Sequence, residues 1–397
     1  MTIDVYVQNE LIGKVEKSLE KHNFAYALDA QQAISLTMPA RLESYTHEQL
    51  HPIFQMNLPE GQLKETLENM VNKRFGSNDL SLLAILGNNQ IGRLQYTLSG
   101  QALPNIEGNQ PVLEDILSSQ DANLFSDLLQ TFAQSSGVAG VQPKVLADIR
   151  SKITLNLDSY IVKSWGAEFP ELACNEYVCL MFAKIAGLCV PEFFLSDNGK
   201  LLLTKRFDYN PTRQKLGFED FCVLQGKGTK EKYDASLESC ANTIQQFVSP
   251  EFKQQALADF FKLTLINIIV KNGDAHLKNY GILYDNLANY QQGKLLNTKR
   301  QLAPIYDIVS TVPYLKNDIM ALSLTGSKRW PKWKVLQTFA KQHCQLKNKD
   351  VEQIVDEVKT ASLQIPSLLQ TITQQHPNFT PIANNLDEII STHGLWE

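Results

Sequence analysis

Between Leu257 and Val270 the chain is apolar on nearly every face of a helix, and it runs directly into the polar decapeptide Asn272-Gly-Asp-Ala-His-Leu-Lys-Asn-Tyr-Gly281. A helix without a polar face has to be surrounded by protein, so this segment predicts a large core packed around one central rod. The run is shorter than the ~20 residues a membrane span requires, and Asp259, Lys262 and Asn267 interrupt it. Burying such a rod takes a sizeable chain. The sequence has 397 residues, 43% hydrophobic and 20% charged, so two or three domains of a soluble globular protein are expected.

The net charge of −5 argues against broad affinity for nucleic acid, which comes from Lys and Arg displacing counterions. Any role on DNA is expected to pass through a partner. The six cysteines (Cys174, Cys179, Cys189, Cys222, Cys240 and Cys344) form no C-x-x-C pair, and four of them sit in apolar runs. Reduced core thiols and a cytoplasmic protein are the expectation. Met1-Thr-Ile-Asp-Val-Tyr-Val has neither a basic start nor a long apolar stretch, so no signal peptide is expected.

Along the chain, the alternation Ile3-Asp-Val-Tyr-Val7 followed by Asn9 to Glu16 predicts a short hairpin opening an α+β module. Helical patterns follow at Leu63–Phe75 and Leu80–Leu86, the second stopped by Gly87. The polar stretch Ser99 to Gln110 reads as a linker, which places a first module at 1–108. A mixed lobe at 109–208 carries strand signals at Lys144–Ile149, Tyr160–Val162 and Lys200–Thr204 around one helix, Glu171 to Ala186. A mostly helical lobe fills 209–397, where Val351, Ile354, Val355 and Val358 give the spacing of a half-buried helix. The fold expected is α+β and two-lobed, with a small extra N-terminal α+β module.

The chemistry concentrates in a few short motifs. Asp274 stands five positions ahead of Asn279, and Asp307 follows 28 residues later in Ala303-Pro-Ile-Tyr-Asp-Ile-Val-Ser310. Alone, Asn-Gly-Asp would be read as a turn. A buried helix emptying into Asp, His and Asn instead offers polar groups on a rigid base. One carboxylate facing a hydroxyl, with an amide and a second carboxylate for Mg²⁺, is the set that phosphoryl transfer from ATP uses. Lys163 closes the apolar strand Tyr160-Ile-Val-Lys163, where a lysine ordinarily snorkels to solvent. In a kinase the same residue reaches the nucleotide phosphates and is held by a glutamate from a neighbouring helix, for which Glu176 is the candidate. Gly137-Val-Ala-Gly-Val-Gln-Pro-Lys144 is a candidate phosphate loop, since its glycines let backbone N–H groups approach an anion. The remaining histidines show no ligand spacing. Trp330-Pro-Lys-Trp333 reads as closing a helical core rather than as a nucleic-acid surface.

Together these segments resemble the HipA-type toxin kinases, the serine/threonine kinase half of bacterial toxin–antitoxin pairs. The resemblance also runs through Asn175-Glu176, Ala186 to Glu192, Lys205-Arg-Phe-Asp208, Glu219 to Cys222, Asn57-Leu-Pro-Glu-Gly61 and Leu82 to Gly87, almost the whole chain. It implies that Ala139, Gly140, Val141, Gln142, Pro143 and Lys144 cover the ATP triphosphate and that Lys163 contacts it. It implies that the Lys205, Arg206 and Phe207 backbone grips adenine with Tyr306 in the nucleotide site, and that Asp274 orients and deprotonates the acceptor hydroxyl. His276 would lie beside the phosphates, and Asn279 and Asp307 would bind Mg²⁺. A small helix-turn-helix antitoxin would be the partner linking the chain to DNA. An aminoacyl-tRNA synthetase would be the substrate, its phosphorylation arresting translation and growth. The family's autophosphorylated serine position is Gly137 here and a second such position is Ala139, with Ser135 and Ser136 displaced beside them. Self-inactivation through that loop is therefore not implied. Two competing readings are a catalytically silent partner of the antitoxin in transcriptional repression, and the same chemistry on a small-molecule or lipid acceptor.

Overall fold

The computed structural model describes residues 1–18, 20–60, 64, 68, 78–87, 90–103, 112–121, 123–128, 153–157, 160–294 and 296–396. The strands fall into three antiparallel sheets, and what they hold in place explains the site. Strands β1 (Thr2–Val7) and β2 (Glu10–Ser18) form the expected hairpin. Gln8 and Asn9 between them both have positive φ, at 51° and 67°. That is the mirror-image turn whose twist suits two right-twisted strands. Strands β3 (Lys21–Tyr26), β4 (Tyr45–His47) and β5 (Leu94–Leu98) complete a sheet ordered β4-β3-β2-β1-β5. Its inner face, with Ile3, Val5, Phe24 and Tyr96, closes over Phe54 and Leu83 of helices Pro52–Met56 and Asp79–Leu86. The second helix ends at Gly87, as its sequence predicts. Most of the helix expected at Leu63–Phe75, the strand expected at Lys144–Ile149, and the boundary at residue 108 lie outside the described residues.

The second sheet is β6 (Ile153–Leu157), β7 (Tyr160–Ser164), β8 (Phe193–Leu195) and β9 (Leu201–Lys205), ordered β6-β7-β9-β8. Strand β7, carrying Lys163, is central and paired on both edges. Helix Leu172–Ile185 packs on β8 and β9 and stops at Gly187, whose φ of 83° is the left-handed conformation that a helix-ending glycine supplies. The third sheet is the smallest: β10 (Gly217–Asp220), β11 (Gly281–Tyr284) and β12 (Arg300–Leu302). Ile282 pairs with Leu302, and Ala303 N–H donates to the Gly281 carbonyl at 2.8 Å. This register sets the end of the decapeptide beside the start of the Asp307 segment.

The remaining described elements are helices. In helix Pro250–Ile269, every residue from Phe260 to Ile269 is buried, which is what its uniform apolarity requires. Its one buried cation, Lys262, pairs with Glu357 at 2.6 Å and donates to the Ala186 carbonyl at 2.9 Å. Helix Asn348–Ser362 packs on it through Val351, Ile354, Val355 and Val358, the residues its periodicity indicates. Trp330 and Trp333 lie against the same core, and five of the six cysteines are buried thiols. No helix among the described residues is long and apolar enough to cross a membrane.

Two buried polar knots tie the N-terminal sheet to the remainder. Arg206 and Asp208 form a bidentate pair at 2.9 and 2.7 Å. The same Asp208 accepts from Gly92 N–H at 2.7 Å, and Arg206 donates to the Gln90 carbonyl at 2.6 Å. Glu219, fully buried on β10, accepts from Ser35 Oγ at 2.7 Å, Leu36 N–H at 2.7 Å and Tyr284 Oη at 2.6 Å. Burial pushes its carboxyl up to about 7, although those three donors pull the other way. Glu219→Ala leaves three buried donors unanswered, so it should cost at least about 2 kcal/mol. Urea unfolding followed by circular dichroism measures this; an unchanged midpoint would show that the knot holds nothing.

Candidate active site

The long helix delivers the decapeptide through a specific termination. Asn272 N–H donates back to the Asn267 carbonyl at 2.8 Å and Lys271 N–H to that of Ile268 at 3.3 Å, the paired bonds of a Schellman cap. Lys271 occupies the left-handed position, with φ 56°, where glycine is usual. The Asn272 side chain bonds that of Asn267 at 2.9 Å and, at 3.1 Å, accepts from Asp274 N–H. Gly273 N–H donates to Thr311 Oγ1 at 2.9 Å. The loop therefore leaves a buried rod in one fixed direction.

From there one polar chain crosses between the lobes. His276 N–H donates to Asn279 Oδ1 at 2.9 Å, and Asn279 Nδ2 donates to Asp307 Oδ2 at 2.7 Å. Asp307 Oδ1 pairs with Lys163 Nζ at 2.9 Å, and Lys163 pairs in turn with Glu176 Oε1 at 2.6 Å. Lys163 is 8% exposed and Glu176 not at all, so the lysine is a buried cation bridging two carboxylates rather than one snorkelling to solvent. Asp307 is held with φ 61°, an uncommon conformation for a residue with a side chain. Such strain gathers where chemistry fixes a group against its local preference. Behind it, Asn175 exchanges two hydrogen bonds with the Ser310 backbone, at 2.9 and 3.0 Å.

Asp274 is half-buried, and Tyr233 Oη donates to its Oδ1 at 2.7 Å. His276 is buried, with its ring edge-on to Tyr233 at 5.2 Å between centroids. Its Nδ1 has no hydrogen-bond partner among the described residues. Burial pushes the imidazole down to about 4, outweighing the pull of Asp274, so it is neutral at pH 7. A neutral imidazole with one unanswered nitrogen suits a donor to an incoming anion. The Phe207 ring stacks on Tyr306 at 5.4 Å and meets Phe218 at 5.5 Å, forming an aromatic wall. Tyr306 Oη fixes this wall to the decapeptide by donating to the Lys278 carbonyl at 2.8 Å.

The structure thus gathers Lys163, Glu176, His276, Asn279 and Asp307 into one bonded set and places Asp274, Phe207 and Tyr306 around it. Ala139, Gly140, Val141, Gln142, Pro143 and Lys144 lie outside the described residues. The Arg206 side chain is committed to Asp208 and Gln90, and Lys205 pairs with Glu192 at 3.1 Å. Lys205 N–H is also taken, by the Glu192 carbonyl at 2.8 Å.

Three further residues escape the sequence reading. Tyr233 bonds Asp274 across 41 positions. Glu60 pairs with Lys232 at 3.0 Å and also with Lys278. Burial alone would raise the Glu60 carboxyl, but the two ammonium groups hold it at about 2. Thr311 supports Gly273. Glu60 left a trace in Asn57-Leu-Pro-Glu-Gly61 and Thr311 at the end of the family-like stretch Leu302 to Thr311, but nothing local says which groups they reach.

Two family models match this chain: the HipA N-terminal domain over residues 3–97 and the HipA-like C-terminal domain over residues 136–365, more than half of the chain. Among curated proteins, Y4dM of Sinorhizobium fredii is 26% identical over 302 residues. That match covers 70% of this chain and 66% of Y4dM, just under two thirds of its length. The serine/threonine-protein kinase toxin HipA of Shewanella oneidensis is 23% identical over 345 residues, 79% of this chain and 76% of that protein. A solved complex of Shewanella oneidensis HipA with HipB and operator DNA superposes with a TM-score of 0.70 at 17% identity, covering 98% of this chain and 96% of that one. That likeness fixes the fold as α+β and kinase-like.

The neutral, enclosed imidazole can be checked directly. Across an NMR titration the His276 ring should change charge near pH 4 rather than near its ordinary 6.5. A midpoint at 6 or above would place the ring in water.

Proposed function

This chain belongs to the HipA family, and on that premise we propose that it is an ATP- and Mg²⁺-dependent protein serine/threonine kinase, the toxin of a toxin–antitoxin pair. The observation that carries the chemistry is the unbroken set Glu176–Lys163–Asp307–Asn279 beside Asp274. Lys163, braced by Glu176, presents a fixed cation to the ATP phosphates. Asp307 and Asn279 would hold Mg²⁺, which prefers one or two carboxylates plus phosphate oxygens and, when bound, neutralises charge on the phosphoryl group. The neutral His276 adds a hydrogen bond from Nδ1 to a phosphate oxygen. The Gly137–Lys144 segment would close over the triphosphate, and the Phe207–Tyr306 wall would flank adenine.

Asp274 would accept the proton of a serine or threonine hydroxyl as its oxygen bonds to the γ-phosphorus and ADP leaves. The acceptor would be a host protein, an aminoacyl-tRNA synthetase by family resemblance, and its loss would arrest translation in the cytoplasm. A HipB-like helix-turn-helix antitoxin would be the partner through which the chain reaches operator DNA. The solved relative, which bears that composition, supports this reading.

Two substitutions separate the roles. Asp274→Asn keeps the shape but removes the base, so transfer of labelled phosphate to proteins in a lysate should fall by about 10² to 10⁴. Wild-type labelling by that variant would remove Asp274 from the reaction. Asp307→Ala should weaken Mg²⁺-ATP binding at least about tenfold, the effect of losing one charged ligand. Isothermal calorimetry measures it, and unchanged affinity would sink the metal assignment.

A further inference from the structure

Tyr233 carries a hydroxyl that the reaction just described does not use, 2.7 Å from the oxygen of Asp274 that would receive the acceptor's proton. Its place is built from several sides. The His276 ring meets it edge-on at 5.2 Å, and its carbonyl accepts from Lys328 Nζ at 3.1 Å. The preceding residue, Lys232, receives Leu277 N–H on its carbonyl at 3.1 Å and sends its ammonium to Glu60 at 3.0 Å. Yet Tyr233 is 38% exposed, so its ring can swing outward to solvent without opening the core. Burial and the Asp274 charge both raise the phenol's pKa, which keeps its proton on and its hydroxyl a donor. A donor hydroxyl on the catalytic carboxylate occupies the station of an acceptor hydroxyl.

We propose that Tyr233 is the resident occupant of the acceptor site, shutting water away from Asp274 until a substrate serine or threonine displaces it. This rests on the kinase reading and adds what decides between transfer to protein and loss of ATP to water. With the phenol gone, water can lie against Asp274. Its oxygen then bonds to the γ-phosphorus while the bond from that phosphorus to the bridging oxygen of ADP breaks. One water proton passes to Asp274, and the products are ADP and inorganic phosphate. Tyr233 is thus a specificity-determining residue.

The test compares the full-length wild type with Tyr233→Phe, which keeps the ring against His276 and removes only the hydroxyl. With Mg²⁺-ATP and no protein acceptor, Tyr233→Phe should release ADP about tenfold faster than wild type, the rate equivalent of one hydrogen bond to a charged group. Adding Asp274→Asn to that variant should abolish the gain. Tyr233→Leu, verified as folded by circular dichroism, should show the same direction of change. ADP release that fails to rise in Tyr233→Phe overturns the proposal, whatever the wild-type level. A fall in both hydrolysis and protein labelling would instead make Tyr233 a residue that positions Asp274, and phosphotyrosine at 233 by mass spectrometry would make it a substrate; either overturns it too. The kinase reading fails separately, if wild type neither binds Mg²⁺-ATP by calorimetry nor labels lysate proteins.

Discussion

A lysine buried between two carboxylates is the constraint on which this structure turns. Lys163 sits on the central strand of one sheet, Glu176 on the helix packed over that sheet, and Asp307 beyond the third sheet, 144 residues away. Removing one partner from such a set strands a charge out of water, at a cost of about 3–5 kcal/mol. The bridge is therefore satisfied only when both lobes have folded and docked. It also leaves the ammonium, the second acid and the Asn279 amide within one hydrogen bond of each other in sequence. On the proposed kinase reading, preorganised charge of this kind would need little rearrangement as phosphate charge develops.

The N-terminal module is not an appendage to this arrangement. Gly92 and Gln90 grip the Arg206–Asp208 pair that follows strand β9, and Ser35 and Leu36 grip Glu219 on strand β10. Glu60 reaches further and pairs with Lys278 inside the decapeptide and with Lys232 beside Tyr233. Each contact is buried or charge-assisted, so shearing the module away would expose unpaired polar groups at three points. An acid from the first sixty residues thus helps to set the loop that carries Asp274.

How much of this was legible in the sequence follows from the range of the forces involved. The long helix, the Gly87 helix end and the β1–β2 hairpin were readable because periodicity and turn chemistry are local. The Lys163, Glu176, Asn279 and Asp307 set was readable because its spacing resembles a known family. Tyr233, Glu60 and Thr311 were not. Their partners lie across 41, 218 and 38 positions, and a tyrosine or glutamate that bonds at such range looks like any surface residue. Lys271 shows the same limit at short range. The helix end was expected, but the left-handed cap falls on a lysine, because the two cap bonds and the loop bonds beyond it offset the strain that glycine would avoid.

The backbone at Asp307 connects these layers. Its positive φ turns the carboxylate back toward Lys163, while Asn175 holds Ser310 three residues later through both faces of one amide. Asn175 adjoins Glu176 on the same buried helix, so that helix grips the lysine with one residue and the extended segment after Asp307 with its neighbour. A shift of the helix would disturb both grips together, because neither amide nor carboxylate has slack in a bond below 3.1 Å. Lys163 and Asp307 consequently share one brace, in addition to the strand and the decapeptide that hold each of them. Glu176 alone would fix only the cation. With Asn175 beside it, the helix also fixes where the anion stands, and the distance between the two becomes a property of the fold.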